Sequence, residues 1–119
     1  MHEQFLIKKF SEYGKVSKSG EIYLPIVLVK NFIDECSKLS VSIIGMEFFH
    51  KKGDYIIPVT PINSIDCSSI VEKNSDWKVI VNDCNSTINN ILELELNGDI
   101  TLYFNPTLLE EEEWKNAKQ

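Results

Sequence analysis

The sequence predicts an α+β fold: a single domain in which a mainly antiparallel sheet of about four strands packs with about three helices. Three observations carry that expectation. Residues 41–59, VSIIGMEFFHKKGDYIIPV, hold two apolar runs separated by Lys51-Lys52-Gly53-Asp54, which is turn chemistry, so they predict a β-hairpin. Residues 26–39 and 77–92 repeat apolar side chains three and four apart, the period of a helix. Residues 92–104, LELELNGDITLYF, alternate strictly on both sides of Asn97-Gly98-Asp99, the signature of a second hairpin. The length of 119 residues suits one domain, 1–119, with one core and no need of metal or disulfide staples.

Residues 3–13 read as the first helix, with Phe5, Leu6, Phe10 and Tyr13 at helical spacing and Gly14 as a natural stop. KVSKSG, 15–20, is a polar connector. Pro25 fits the first turn of a second helix, 26–39, whose stripe is Val29, Phe32, Ile33, Cys36 and Leu39, with Asp34, Glu35 and Lys38 opposite. The hairpin strand that follows has apolar residues at both parities: Ile44, Met46 and Phe48 against Ile43 and Phe49. That pattern predicts a central strand covered on both faces. Residues 60–66 read as a loop, and 67–71 as a short strand or an irregular segment. Ser75-Asp76 is a good N-cap pair for a third helix from Trp77. In the second hairpin, a three-residue loop pairs Leu96 with Ile100, Leu94 with Leu102 and Leu92 with Phe104. It gathers the large aliphatics on one face and Glu93, Glu95, Thr101 and Tyr103 on the other. Asn105-Pro106 is read as the end of the strand, and 108–119 as a short helix or a frayed terminus.

Charge is unevenly spread over a chain of net −6. Residues 1–60 hold eight lysines and seven carboxylates, whereas 61–119 hold four lysines and eleven carboxylates, a net of −7, and arginine is absent throughout. Nucleic-acid binding draws on a basic stripe and phosphate recognition on arginine forks, so both are disfavoured. An acidic half suits a basic partner instead. Cys36, Cys67 and Cys84 are odd in number and irregularly spaced, as expected of buried thiols in a reducing compartment. The first ten residues lack the features of a signal peptide, and the longest apolar run is far too short to span a bilayer, so the expected location is the cytoplasm, without a membrane partner.

Little points to catalysis. His2 and His50 stand alone, no C-x-x-C or H-x-x-x-H occurs, and nucleophile-elbow, phosphate-loop and dinucleotide fingerprints are absent. No metal, cofactor or catalytic residue is therefore assigned. Glu47 stands out as a carboxylate inside an apolar strand: if buried it needs a partner or a shifted pKa, and a satisfied partner or simple exposure at the pleat is favoured over a catalytic role.

The segments KNFIDECSKLSV, SIIGMEFFHKKGDYIIPVTPINS and SDWKVIVNDC together resemble a bacterial immunity-protein family of polymorphic toxin and contact-dependent growth inhibition systems. The resemblance covers roughly residues 26–92 and rests on Ile43 or Ile44, Gly45, Glu47, Phe48, Phe49, Pro58, Asn63 and Trp77. Met46 stands where the pattern often has a second glycine, and Asn63 is not followed by Trp. The resemblance implies a non-catalytic cytoplasmic protein that binds the C-terminal toxin domain of its own system, a protein partner expected to be a basic nuclease, without touching nucleic acid itself. Sign and expected exposure nominate Asp54, Tyr55, Asp66, Asp76, Asp83, Glu93, Glu95 and Tyr103 as toxin contacts. A general adaptor for a basic partner, or a small enzyme with a spatially assembled site, are the competing expectations.

Overall fold

In the computed structural model, residues 2–53, 55–58, 64–95 and 102–117 are described, with the backbone alone at Lys52, Ile56, Pro58, Leu94 and Glu95. The fold is α+β, as the sequence predicts, with more elements than expected. In chain order they are α1 (His2–Phe10), β1 (Lys15–Val16), β2 (Ile22–Pro25), α2 (Val29–Lys38), β3 (Ser42–Lys52), β4 (Tyr55–Pro58), β5 (Ser64–Asp66), α3 (Ser68–Lys73), α4 (Trp77–Glu95), β6 (Leu102–Leu109) and α5 (Glu111–Ala117). Short 3₁₀ turns at Ser11–Tyr13 and Ile26–Leu28 extend α1 and lead into α2.

All the strand pairings are antiparallel, in the order β1-β2-β6-β3-β4, with β5 also paired to β3. β3 is the longest strand and lies inside the sheet. Its run of β-branched and aromatic residues suits the pleat. β6 pairs along one side of it from Ser42 to His50, while β5 takes Gly45 to Glu47 and β4 takes Phe49 to Lys52 on the other.

The expectation that β3 is covered on both faces is overturned. A bulge between Ile43 and Gly45 shifts the side-chain parity by one. Ile43, Met46 and Phe48 therefore all point into the core, and Ile44 does not join Met46 and Phe48. The row Leu24–Phe104–Phe48 crosses β2, β6 and β3 on this covered face. Phe104 meets Phe32 of α2 edge-on at 5.6 Å, and Phe32 meets Phe10 of α1 at 5.2 Å. Each such ring, fully buried, is worth about 1.5–3 kcal/mol. Glu47 on the same strand is exposed, and Phe49 is half-buried, because their parity is the other one.

α4 lies over the covered face with Ile80, Cys84 and Ile88 fully buried. It carries a polar tie as well as an apolar stripe. Asn85, buried, accepts from Ile43 N at 2.9 Å and donates to Val41 O at 3.2 Å and Ser37 Oγ at 3.0 Å. One side-chain amide thus serves the start of β3 as a neighbouring strand would. Trp77 at the head of α4 donates from Nε1 to Ser40 O at 2.9 Å and packs on Trp114 at 5.4 Å between ring centroids.

Several local expectations are corrected. The connector 15–20 begins with strand β1, and Ile22–Pro25 is a strand where no element was expected before α2. Residues 64–66 form β5, and 68–73 form helix α3, neither strand nor irregular. The second hairpin is not formed as predicted. α4 continues through Leu92 and Glu93 to Glu95, Leu92 completes the buried stripe, and Leu102 and Phe104 pair with His50 and Phe48 instead. Leu and Glu are strong helix formers, so LELEL reads equally well as a final helical turn. The expected turn at Asn97-Gly98-Asp99 lies outside the described residues. β6 runs through Asn105-Pro106 to Leu109 rather than ending there. Asn105 Nδ2 supplies a donor to Ile22 O at 2.9 Å beside a proline that has none. The tail is anchored: α5 buries Trp114 against the core.

Candidate interaction surface

The eight nominated contacts do not share one face. Asp54 lies outside the described residues, as does the side chain of Glu95, which ends α4. Tyr55, 76% exposed, stands on β4 beside the β3–β4 turn, where Gly53 takes the left-handed conformation at φ 59°. Asp66 closes β5 and accepts from Ser68 N, the first residue of α3, at 2.9 Å in a local turn. That bond holds its carboxyl below the usual aspartate range. Asp76 caps α4 by accepting from Lys78 N at 3.0 Å. Asp83 is exposed on α4 beside Asn82. Glu93, on α4, meets Lys30 of α2 at 3.8 Å. Tyr103, on β6, is separated from it: its register neighbours are Pro25 and Phe49, and Lys51 Nζ lies 5.9 Å from its ring. The carboxylate-flanked Tyr103 of the expected hairpin is therefore not formed, because Glu93 and Glu95 belong to a helix.

The sheet instead gathers a different set. Its second face shows the row Pro25–Tyr103–Phe49 running across β2, β6 and β3. Tyr23 joins it diagonally, meeting Phe49 edge-on at 5.3 Å. Glu47 and Lys51 lie on either side of Phe49 along β3, at the same parity, and both are exposed. The Tyr23 hydroxyl donates to Glu21 Oε2 at 3.0 Å. Partial burial, that bond and the charges of Glu21 and Glu47 raise its pKa. Past Glu47 the surface dips over Gly45 into an open hollow of about 320 Å³, whose lining includes Glu47, Ser64, Asp66, Ser68 and Thr107. Three half-buried aromatic rings beside exposed carboxylates make a surface suited to a protein partner. Sequence reasoning singled out Glu47 and missed its setting. The signal was the spacing Glu47, Phe49, Lys51, which becomes one face once Met46 and Phe48 are fixed inward.

Other groupings have structural explanations. Carboxylate oxygens of Glu3, Glu110 and Glu113 lie within 4.8 Å of one another. Glu113 Oε1 accepts from Glu110 N at 3.0 Å, the reciprocal half of a capping box on α5, and Glu110 Oε1 accepts from His2 N at 3.0 Å at the start of α1. Burial and the two neighbouring charges raise the pKa of Glu3. A groove of about 570 Å³ between α1 and α2 is bridged by Glu35, which meets Lys9 at 3.1 Å and Lys38 at 3.8 Å.

The three thiols are buried. Burial drives Cys36 far above the usual thiol range, and Cys67 is driven up by a hydrogen bond shared with Cys84 and by burial. Cys36 and Cys67 serve as small hydrophobes, whereas the hydrogen bond with Cys67 holds the Cys84 thiol below its usual range despite burial. His50, expected at a hairpin tip, is a half-buried strand residue paired with Leu102 and Ile57.

No described helix is long and apolar enough to cross a membrane. No protein-family profile, curated protein or solved structure matches the chain, so its functional reading rests on its own residues.

Proposed function

We propose that the chain is a non-catalytic immunity protein that binds and neutralises a toxin domain of its own system, a basic nuclease, in the cytoplasm of the producing cell. The observation that supports this reading best is uncompensated surface carboxylate. Residues 61–119 carry eleven acidic residues against four lysines. Asp66, Asp76 and Asp83 are exposed and have no ion-pair partner among the described residues, in contrast to Glu35, Glu93 and Glu111. A nuclease must be basic where it holds phosphates. An acidic protein that covers or flanks that surface competes with the nucleic acid, and complementary charge speeds the encounter and rejects wrong partners. Two of these aspartates accept a backbone N–H at a helix start, so their carboxylates are held in place before the partner arrives.

The test is co-expression with the C-terminal domain of the protein encoded immediately upstream. Killing by that domain alone, and survival when this chain is present, is the expected outcome. The complex should weaken with rising salt. Unchanged killing with both proteins made overturns the pairing.

A further inference from the structure

We infer that the face of the sheet opposite α2 and α4 is the docking surface, and that it receives a basic side chain, best an arginine, of a protein partner in the hollow over Gly45, with Glu47 between the hollow and the Tyr23–Phe49–Tyr103 rings. The identity of the partner rests on the toxin-binding reading above; the location does not.

Four observations converge on this face. First, Glu47 is an exposed carboxylate in the middle of a six-stranded sheet and has no ion-pair partner among the described residues. Its register neighbours, Asn105 on β6 and Ser64 on β5, are neutral. Second, the missing side chain of Gly45 opens the hollow, and its carboxylates, Glu47 and Asp66, come from adjacent strands. Third, the rings that follow Glu47 across the same face are half-buried and present apolar surface next to charge, the composition of an interface centre with a polar rim. Fourth, the face already accommodates one cation against an aromatic ring, Lys51 over Tyr103.

Charge complementarity selects the occupant. Glu21, Glu47 and Asp66 populate the face, while Lys15 and Lys51 stand at its margins, on the edge strand β1 and toward the β3–β4 turn. A guanidinium fits this arrangement better than an ammonium, because its flat fork pairs with a carboxylate and stacks on a ring at the same time. The hydroxyls of Ser64 and Thr107 line the same hollow and suit the remaining N–H groups.

The test uses the full chain and an arginine hexapeptide, followed by amide and aromatic NMR shifts, so it reads the face whether or not the upstream-encoded domain proves to be the partner. The largest shifts are expected at Gly45, Glu47, Phe49 and Asp66, and Glu47→Lys is expected to weaken binding by about tenfold. Gly45→Ala is a second probe. Its Cβ would stand 3.4 Å from Ile65 O and 3.6 Å from Thr107 Cβ, ordinary contacts, so the fold persists while the hollow shrinks. Shifts centred on Asp76 and Asp83 or on Glu111–Glu113, shifts spread evenly over all carboxylates, or affinity unchanged in both variants would overturn the inference. Failure of rescue by the wild-type chain would overturn the proposed function and leave this location standing.

Discussion

The two faces of the sheet are built from alternate residues of the same strands, and they do opposite work. Leu24, Phe104, Phe48 and Met46 face helices α2 and α4 and are closed to water. Tyr23, Tyr103, Phe49 and Glu47, their sequence neighbours, have the opposite parity and are half-buried or exposed. A one-residue step therefore separates the groups that hold the fold from those available to a partner. The bulge at Ile43/Gly45 keeps the separation clean by returning Ile43 to the covered side. Stability and binding should then respond to different substitutions, even at adjacent positions.

The largest effect on stability is expected from Phe48→Ala, which empties the centre of the covered row. Chemical denaturation should show a loss of about 3–5 kcal/mol. Asn85→Leu follows, since it keeps the volume but strands Ile43 N–H and Val41 C=O in the interior. The expected cost is about 2–3 kcal/mol by the same measurement. One residue along from Phe48, Phe49→Ala should cost only about 1 kcal/mol because its ring is partly in water already. A loss equal to that of Phe48→Ala would break the comparison. Glu47→Lys should change the melting temperature least of the four, as an exposed carboxylate without a described partner contributes little to folding.

Asp66 gives the smallest and most specific effect. Its carboxyl is held below its ordinary value by Ser68 N–H, so the folded state favours its charged form. Its contribution is fully present above about pH 4 and is lost as the pH falls through the lowered value. Asp66→Asn should flatten that acid limb of a stability–pH profile and leave the slope near neutrality unchanged.

The class of the fold and three of its helices were legible because their apolar periods run for several turns, as with Phe32, Ile33 and Cys36 on α2 or Ile80, Cys84 and Ile88 on α4. The β3–β4 hairpin was legible from Lys51 to Gly53 between apolar runs. The second hairpin was not, because alternation of Leu with Glu fits both a strand and a helix end, and only Leu92 against the core decides between them. Strands β1, β2 and β5 are two to four residues long, too short to carry a period of their own. The open face escaped for a related reason. Its residues come from β2, β3, β5 and β6, and parity on β3 depends on a bulge that no local pattern marks. Charge sign was readable along the chain, whereas which carboxylates stand beside which rings was set by register.

The most direct test joins function to face. Cells making the domain encoded immediately upstream, the proposed toxin, are scored for survival with the wild-type chain and with a Glu47→Lys/Phe49→Ala variant whose melting curve shows that it is folded. Rescue by the wild type and loss of rescue by the folded variant is the predicted result. Equal rescue by both, or none by the wild type, would contradict it.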